Sequence, residues 1–105
     1  MIVNKLEIFI LTYNRESKLE RTLQMLSNSS LKDLKITIMN NASTDGTLSV
    51  YEKYKEKFPA LLIITNPYNI GASANYLRAL ENSTSIYTWI LAMMIFLTSL
   101  LCRNY

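Results

Sequence analysis

Histidine is absent from this 105-residue chain, and cysteine occurs once, as Cys102. The first absence removes histidine-dependent nucleophilic triads and the usual imidazole metal sites. The second leaves neither a disulfide framework nor a thiolate metal cluster, and it suits a reducing compartment. Glycine and proline occur only twice each. No Gly-x-x-x-x-Gly-Lys phosphate loop is present, and no linker or low-complexity segment interrupts the chain. Acidic side chains stop at Glu81. A concentrated basic face is missing too, although the net charge is +3. Lys18, Arg21, Lys32, Lys53, Lys55 and Lys57 fall mostly on expected helix faces, without interleaved aromatics. They read as solvated surface, and no nucleic-acid partner is expected. Met1 to Glu7 carries charge where a signal peptide needs apolar residues, so none is expected. The Asn-x-Ser/Thr triplets at Asn28, Asn41 and Asn82 then read as chance.

What is present is apolar and periodic. Half of the residues are hydrophobic, which excludes wholesale disorder and is enough for one small domain. Lys5 to Thr12 reads as a strand buried on both faces, because Leu6, Ile8, Phe9, Ile10 and Leu11 are nearly continuous. Ser17 and Glu20 have capping-box spacing, and Leu19, Leu23 and Leu26 then share one helical face. Leu34 to Met39 is a second strand. A helix from about Thr47 to Phe58 follows, with Leu48, Tyr51, Tyr54 or Lys55, and Phe58 on one side, until Pro59 stops it. Leu61 to Thr65 is a third strand, and Ala72 to Asn82 a third helix with Tyr76, Leu77 and Leu80 able to face a sheet. Ile86 to Leu91 is a fourth strand. The order β-α-β-α-β-α-β predicts an α/β fold with a Rossmann-like parallel sheet.

Three loops follow strands and are candidate ligand sites, because open α/β sheets bind ligands at the carboxyl ends of their strands. Leu11-Thr12-Tyr13-Asn14 offers strand-end backbone groups and a flat ring, suited to stacking on a base; it reads equally as a turn whose tyrosine packs on the domain. Asn40 to Thr47 offers two amide side chains that match a pyrimidine edge. Ser43 or Asp45 can cap the next helix, and Gly46 permits an unusual backbone there; the loop reads equally as a well-capped turn. Asn66 to Asn75 has Gly71, Ala72 and Ala74, which allow a ligand to approach a helix start or simply let helix and sheet pack tightly.

Together these segments resemble the N-terminal half of a family 2 glycosyltransferase. The resemblance rests on Leu11-Thr-Tyr-Asn-Arg15, Asn41-Ala-Ser-Thr-Asp-Gly-Thr47, Asn69-Ile-Gly71 with Asn75 and Ala79, and Tyr87-Thr-Trp-Ile-Leu91. It covers about residues 5 to 92. It implies a partial GT-A fold that holds a nucleotide-sugar donor, usually uridine-linked, for transfer with inversion at the anomeric carbon. By the same resemblance Thr12 and Tyr13 hold the base, Asn41 reads its edge, and Asp45 fixes the loop. Asn40 stands where the family usually has Asp. Leu11, Asn14, Gly71 and Asn75 complete the expected substrate-binding set.

The family also implies Mg²⁺ or Mn²⁺ on an Asp-rich cluster after the fourth strand. Here Ala92-Met93-Met94-Ile95-Phe96 stands in that place. No metal ligand and no catalytic residue is therefore expected in this chain, and donor binding is expected to be weak. One base lost ahead of consecutive GAT codons would turn Ala-Asp-Asp-Asp-Phe into Ala-Met-Met-Ile-Phe. The expected division is therefore a partial donor-binding domain over 1–92 and an apolar, out-of-frame tail over 93–105. Reading the gene in the adjacent frame tests this: without an Asp-rich run and a family-like continuation there, the idea fails. A competing expectation is a membrane span, because Ile86 to Cys102 is uncharged; it falls short of the about 20 residues a spanning helix needs. The expected location is cytoplasmic, with peripheral association at the inner face of the membrane.

Overall fold

The computed structural model describes residues 5–92 and, as backbone, 97–102. Its elements in chain order are β1 (Leu6–Thr12), α1 (Glu16–Ser27), β2 (Lys35–Asn40), α2 (Thr47–Tyr54), β3 (Leu61–Thr65), α3 (Ala72–Asn82), β4 (Tyr87–Ala92) and β5 (Leu97–Cys102). They form one five-stranded sheet of order β3-β2-β1-β4-β5. The first four strands are mutually parallel, as the alternation of strands and helices predicts. β5 runs antiparallel to β4, with Tyr87 opposite Cys102 and Ala92 opposite Leu97. Within the apolar run from Ile86, residues 87–92 and 97–102 are thus paired strands. Among the described residues no helix is long and apolar enough to cross a membrane.

Successive strand residues point to opposite faces, and both faces are covered. On one, Ile8, Ile10, Ile36, Ile38 and Leu61 pack with Leu19, Leu23, Leu26, Val50, Tyr54 and Phe58. On the other, Phe9, Leu11, Met39 and Ile90 pack with Ala79, and Tyr76 and Leu80 lie against them. This double cover is why β1 and β2 are nearly unbroken apolar runs. Each fully buried Ile, Leu or Phe contributes about 1.5–3 kcal/mol by leaving water.

Four local expectations are corrected. Leu48 and Leu77 are 55% and 57% exposed. On α2 the buried residues are Thr47, Val50 and Tyr54, which leaves Leu48 outside that face. On α3 Asn75 and Ala79 centre the inner face. Leu77 follows Asn75 by about 200° of helical rotation and so points outward. The α-helix after Thr47 ends at Tyr54, and a 3-10 turn carries the chain to Lys57. Phe58, before Pro59, is already extended (φ −129°, ψ 136°), because proline crowds a helical predecessor. Finally, α1 begins at Glu16 with Arg15 at its N-cap, and no side-chain hydrogen bond from the cap closes it. Ser17 lies inside the first turn and Glu20 pairs with Lys53, so the capping box does not form.

Candidate functional site

The strand ends align. Thr12 is level with Asn40 across β1 and β2, and Asn40 with Thr65 across β2 and β3. The loops after these strands therefore stand side by side at one end of the sheet. β1 lies centrally, with β2 on one flank and β4 on the other. The strand order thus reverses beside β1, which is where open α/β sheets form their ligand crevice.

The backbone ladder continues into the loops. Asn41 donates its N–H to the Thr12 carbonyl, and Asn66 donates its own to the Asn40 carbonyl. Side chains then weld the loops together. Ser43 Oγ accepts from the Asn14 N–H (3.0 Å), and Asn14 Oδ1 accepts from the Thr44 N–H (2.7 Å). Asp45 Oδ2 accepts from the Glu16 N–H, and Glu16 Oε1 accepts from the Gly46 N–H, both at 3.1 Å. Asp45 Oδ1 also takes the Thr47 N–H and hydroxyl, capping α2. Burial alone would raise the Asp45 carboxyl. The hydrogen bonds from Thr47 and the Glu16 amide outweigh that and hold it below the usual carboxylate value.

An asparagine chain makes the second seam. Asn41 Oδ1 accepts from Asn66 Nδ2 (2.9 Å) and the Ile70 N–H (3.0 Å), and Asn41 Nδ2 donates to Asn69 Oδ1 (2.8 Å). Asn66 Nδ2 also donates to Asn75 Oδ1, and Asn75 Nδ2 to the Met39 carbonyl. Asn40 Oδ1 accepts from the Ser43 N–H. Asn40, Asn41, Asn66 and Asn75 are all buried; Asn41, Asn66 and Asn75 bond one another, while Asn66 Oδ1 is left without a hydrogen-bond partner.

The expected residues therefore divide. Leu11 belongs to the core on the α3 side. Thr12 is buried, and its hydroxyl has no hydrogen-bond partner. Tyr13 is half-buried at the mouth of the first loop. Asn14, Asn40, Asn41, Asp45 and Asn75 form the seams. Gly71 stands at φ +89° before α3, where an added Cβ would meet nothing within 4 Å. Its need is thus for backbone freedom. Gly46 is the reverse: its φ of −81° is ordinary, and an added Cβ would lie 2.5 Å from Glu16 Oε2. Its backbone is not unusual, and an added Cβ would require the exposed Glu16 carboxylate to shift.

Sequence reasoning missed Asn66 and Glu16. Asn66 precedes Pro67, an Asn-Pro step that signals a turn but not a buried hub. Nothing local marks Glu16, whose partner lies 30 residues away.

The described residues do not fit a divalent cation. No group of three or more acidic, histidine or cysteine side chains is found among them. The two carboxylates of the loops already accept backbone N–H groups. Met93 to Ile95, where the resemblance would put metal ligands, lie outside the described residues.

The chain is similar to known sugar transferases. The abequosyltransferase RfbV of Salmonella typhimurium is 33% identical over 82 residues, which is 75% of this chain and 25% of that protein. The cholesterol galactosyltransferase of Borreliella burgdorferi is 29% identical over 83 residues, or 79% of this chain and 23% of that one. The chain thus spans about a quarter of the length of these curated relatives. Among solved structures, the mannosyltransferase PcManGT of Pyrobaculum calidifontis, in complex with GDP-Man and Mn²⁺, superposes with a TM-score of 0.73 at 25% identity. That match covers 85% of this chain and 27% of the other. S. aureus TarS 1-349, in complex with UDP-GlcNAc, gives the same TM-score at 23% identity, covering 85% and 26%, and supports the fold alone. The sheet is accordingly the Rossmann-like part of a GT-A fold. The profile described as Glycosyl transferase family 2 matches residues 7–92, which include all three loops and every parallel strand but the first residue of β1, and the chain belongs to that family.

Proposed function

We propose that this chain is the donor-binding half of a sugar transferase, holding the nucleotide of a nucleotide-sugar between its first and second loops. The observation that carries this reading is the welding of three adjacent loops at the carboxyl ends of the strands, beside the reversal of strand order. Ligand recognition gains from walls ordered beforehand, because less entropy is lost on binding. Tyr13 supplies a ring for the base. Asn41 presents an amide N–H that now meets Asn69, an exposed residue, and a base carbonyl can take that N–H by displacing Asn69. Thr12 backs the base. Leu11, Asn14, Asn40 and Asp45 hold the walls, and Gly71 and Asn75 shape the third loop. A uridine-linked donor is the member of the class that this reading favours.

In the complete enzyme the acceptor oxygen bonds to the anomeric carbon as the bond to the diphosphate breaks, with inversion. The acceptor's proton goes to a base that this chain does not supply. No carboxylate follows Glu81, so binding without transfer is proposed for the chain alone. Calorimetry with UDP, with and without Mn²⁺, tests the reading. The expected result is a dissociation constant on the order of 0.1–1 mM, unchanged by the metal. Absence of binding at several millimolar UDP would remove the donor-site reading. Tight, Mn²⁺-dependent binding would overturn the metal-free half-site.

A further inference from the structure

We propose that Glu16 is a positioning residue for the nucleotide pocket, and that Gly46 is glycine in order to receive it. This rests on the donor-site reading above. Neither α1 nor α2 is closed by the side chain of its own N-cap residue, Arg15 or Gly46. α1 takes a carboxylate from the loop before α2, and α2, whose Thr47 is already held by Asp45, takes a second one from the first residue of α1. Asp45 Oδ2 accepts from the Glu16 N–H in the first turn of α1, and Glu16 Oε1 accepts from the Gly46 N–H at the start of α2. A capping box makes this exchange between residues three apart. Here it runs between residues 29 and 30 apart, so it fixes two loops rather than one helix end. Both carboxylates also sit where the helix dipoles favour negative charge.

At Gly46 the Glu16 carboxylate lies where a side chain would begin. A Cβ there would lie 2.5 Å from Glu16 Oε2 and 3.2 Å from its Cδ. The contact continues through Asn14, whose backbone N–H and side chain engage Ser43 and Thr44. Tyr13 adjoins one side of this seam and the Asn40-Asn41-Ala42 corner adjoins the other. Without the clasp, the gap between the stacking ring and the amide wall is no longer set, and a misplacement of about 1 Å is enough to weaken recognition.

A double-mutant cycle tests the clasp: Glu16→Ala, Gly46→Ala, the two combined, and Glu16→Gln. Binding of UDP is measured by calorimetry at a temperature where all four proteins are fully folded, and melting temperatures are recorded beside it. Each single substitution to alanine is expected to weaken UDP binding roughly three- to tenfold, the scale of one lost cap. The double variant should be no weaker than either single one. Glu16→Gln keeps an acceptor for the Gly46 N–H and should restore both affinity and the native Gly46 amide resonance in an NMR spectrum. Additive losses in the double variant would overturn the clasp. So would melting temperatures that fall while UDP affinity does not change. Should the native chain bind no UDP, the donor-site reading fails by itself. Coupling of Glu16 and Gly46 in melting temperature then still decides whether the clasp exists.

Discussion

Glu7 shows what one residue can do unseen. Its side chain is fully buried in β1, amid an apolar run. Its Oε2 accepts from the Ser83 hydroxyl and from the N–H groups of Thr84 and Ser85, 76 to 78 residues away. Oε1 has only Lys35 Nζ at 4.0 Å. Ser83 Oγ meets Thr88 Oγ1 beside it. The carboxylate thus ties the connection between α3 and β4 to the start of β1, at the end of the sheet opposite the pocket. In the sequence Glu7 reads only as a charge in the N-terminal segment. A single sequence does not say which distant N–H groups will return to a carboxylate. Glu7→Ala would leave those donors without an acceptor, and each such loss costs about 1–3 kcal/mol. The expected outcome is a loss on the order of 2–3 kcal/mol in a urea titration, with UDP affinity of the folded protein unchanged. A variant as stable as the native chain would show that water replaces the carboxylate there.

At the scale of elements, the strands and the family motif were legible because both are local patterns. Continuous apolar runs bounded by polar loops place β1 to β4 within a residue or so of their observed bounds. What was not legible came from partners distant in sequence. Ser17 and Glu20 have the spacing of a capping box, yet α1 is capped by Asp45 and Glu20 is taken by Lys53. The asparagine amides look like ligand readers in a single loop, and in the structure most of them also bond from loop to loop. The apolar run after Ile86 was ambiguous for a similar reason, since strand, span and tail share its composition. In the structure residues 97–102 of that run pair with β4 as a strand. Ending the chain after Ala92 would make β4, in place of β5, the outer strand of the sheet and expose the β4 groups that β5 now pairs, a template for association between copies. Light scattering is expected to show larger species for that shortened chain at a concentration where the full chain is uniform. A monodisperse product of equal stability would mean that β5 contributes nothing to the edge.

For the whole molecule, the absence of histidine becomes a statement about pH. Stability changes with pH only where folded and unfolded chains bind different numbers of protons. No histidine, the side chain that ordinarily titrates near neutrality, is present, so stability should be level between about pH 5.5 and 8. The shifted groups lie outside that window. Glu20 is lowered by its hydrogen bond and charge interaction with Lys53, which joins α1 to α2. Asp45 is lowered because the hydrogen bonds from Thr47 and Glu16 outweigh burial. A carboxyl lowered in the folded state stabilises above its unfolded pKa, and that contribution is lost as pH falls through the folded value. Lys53 is raised by Glu20; its contribution is present below the unfolded lysine pKa and lost as pH rises through the folded one. Both acids lie between α1 and α2 or their loops, so acid should loosen the pocket side first. Urea midpoints are therefore expected to fall as pH drops below about 4 and again above about 10. Glu20 is exposed and screened, so Asp45 is the group to test. Asp45→Asn should lower stability at pH 7 and flatten the acid limb. A native midpoint that changes between pH 5.5 and 8, or an acid limb equally steep in Asp45→Asn, would show that other groups govern the response.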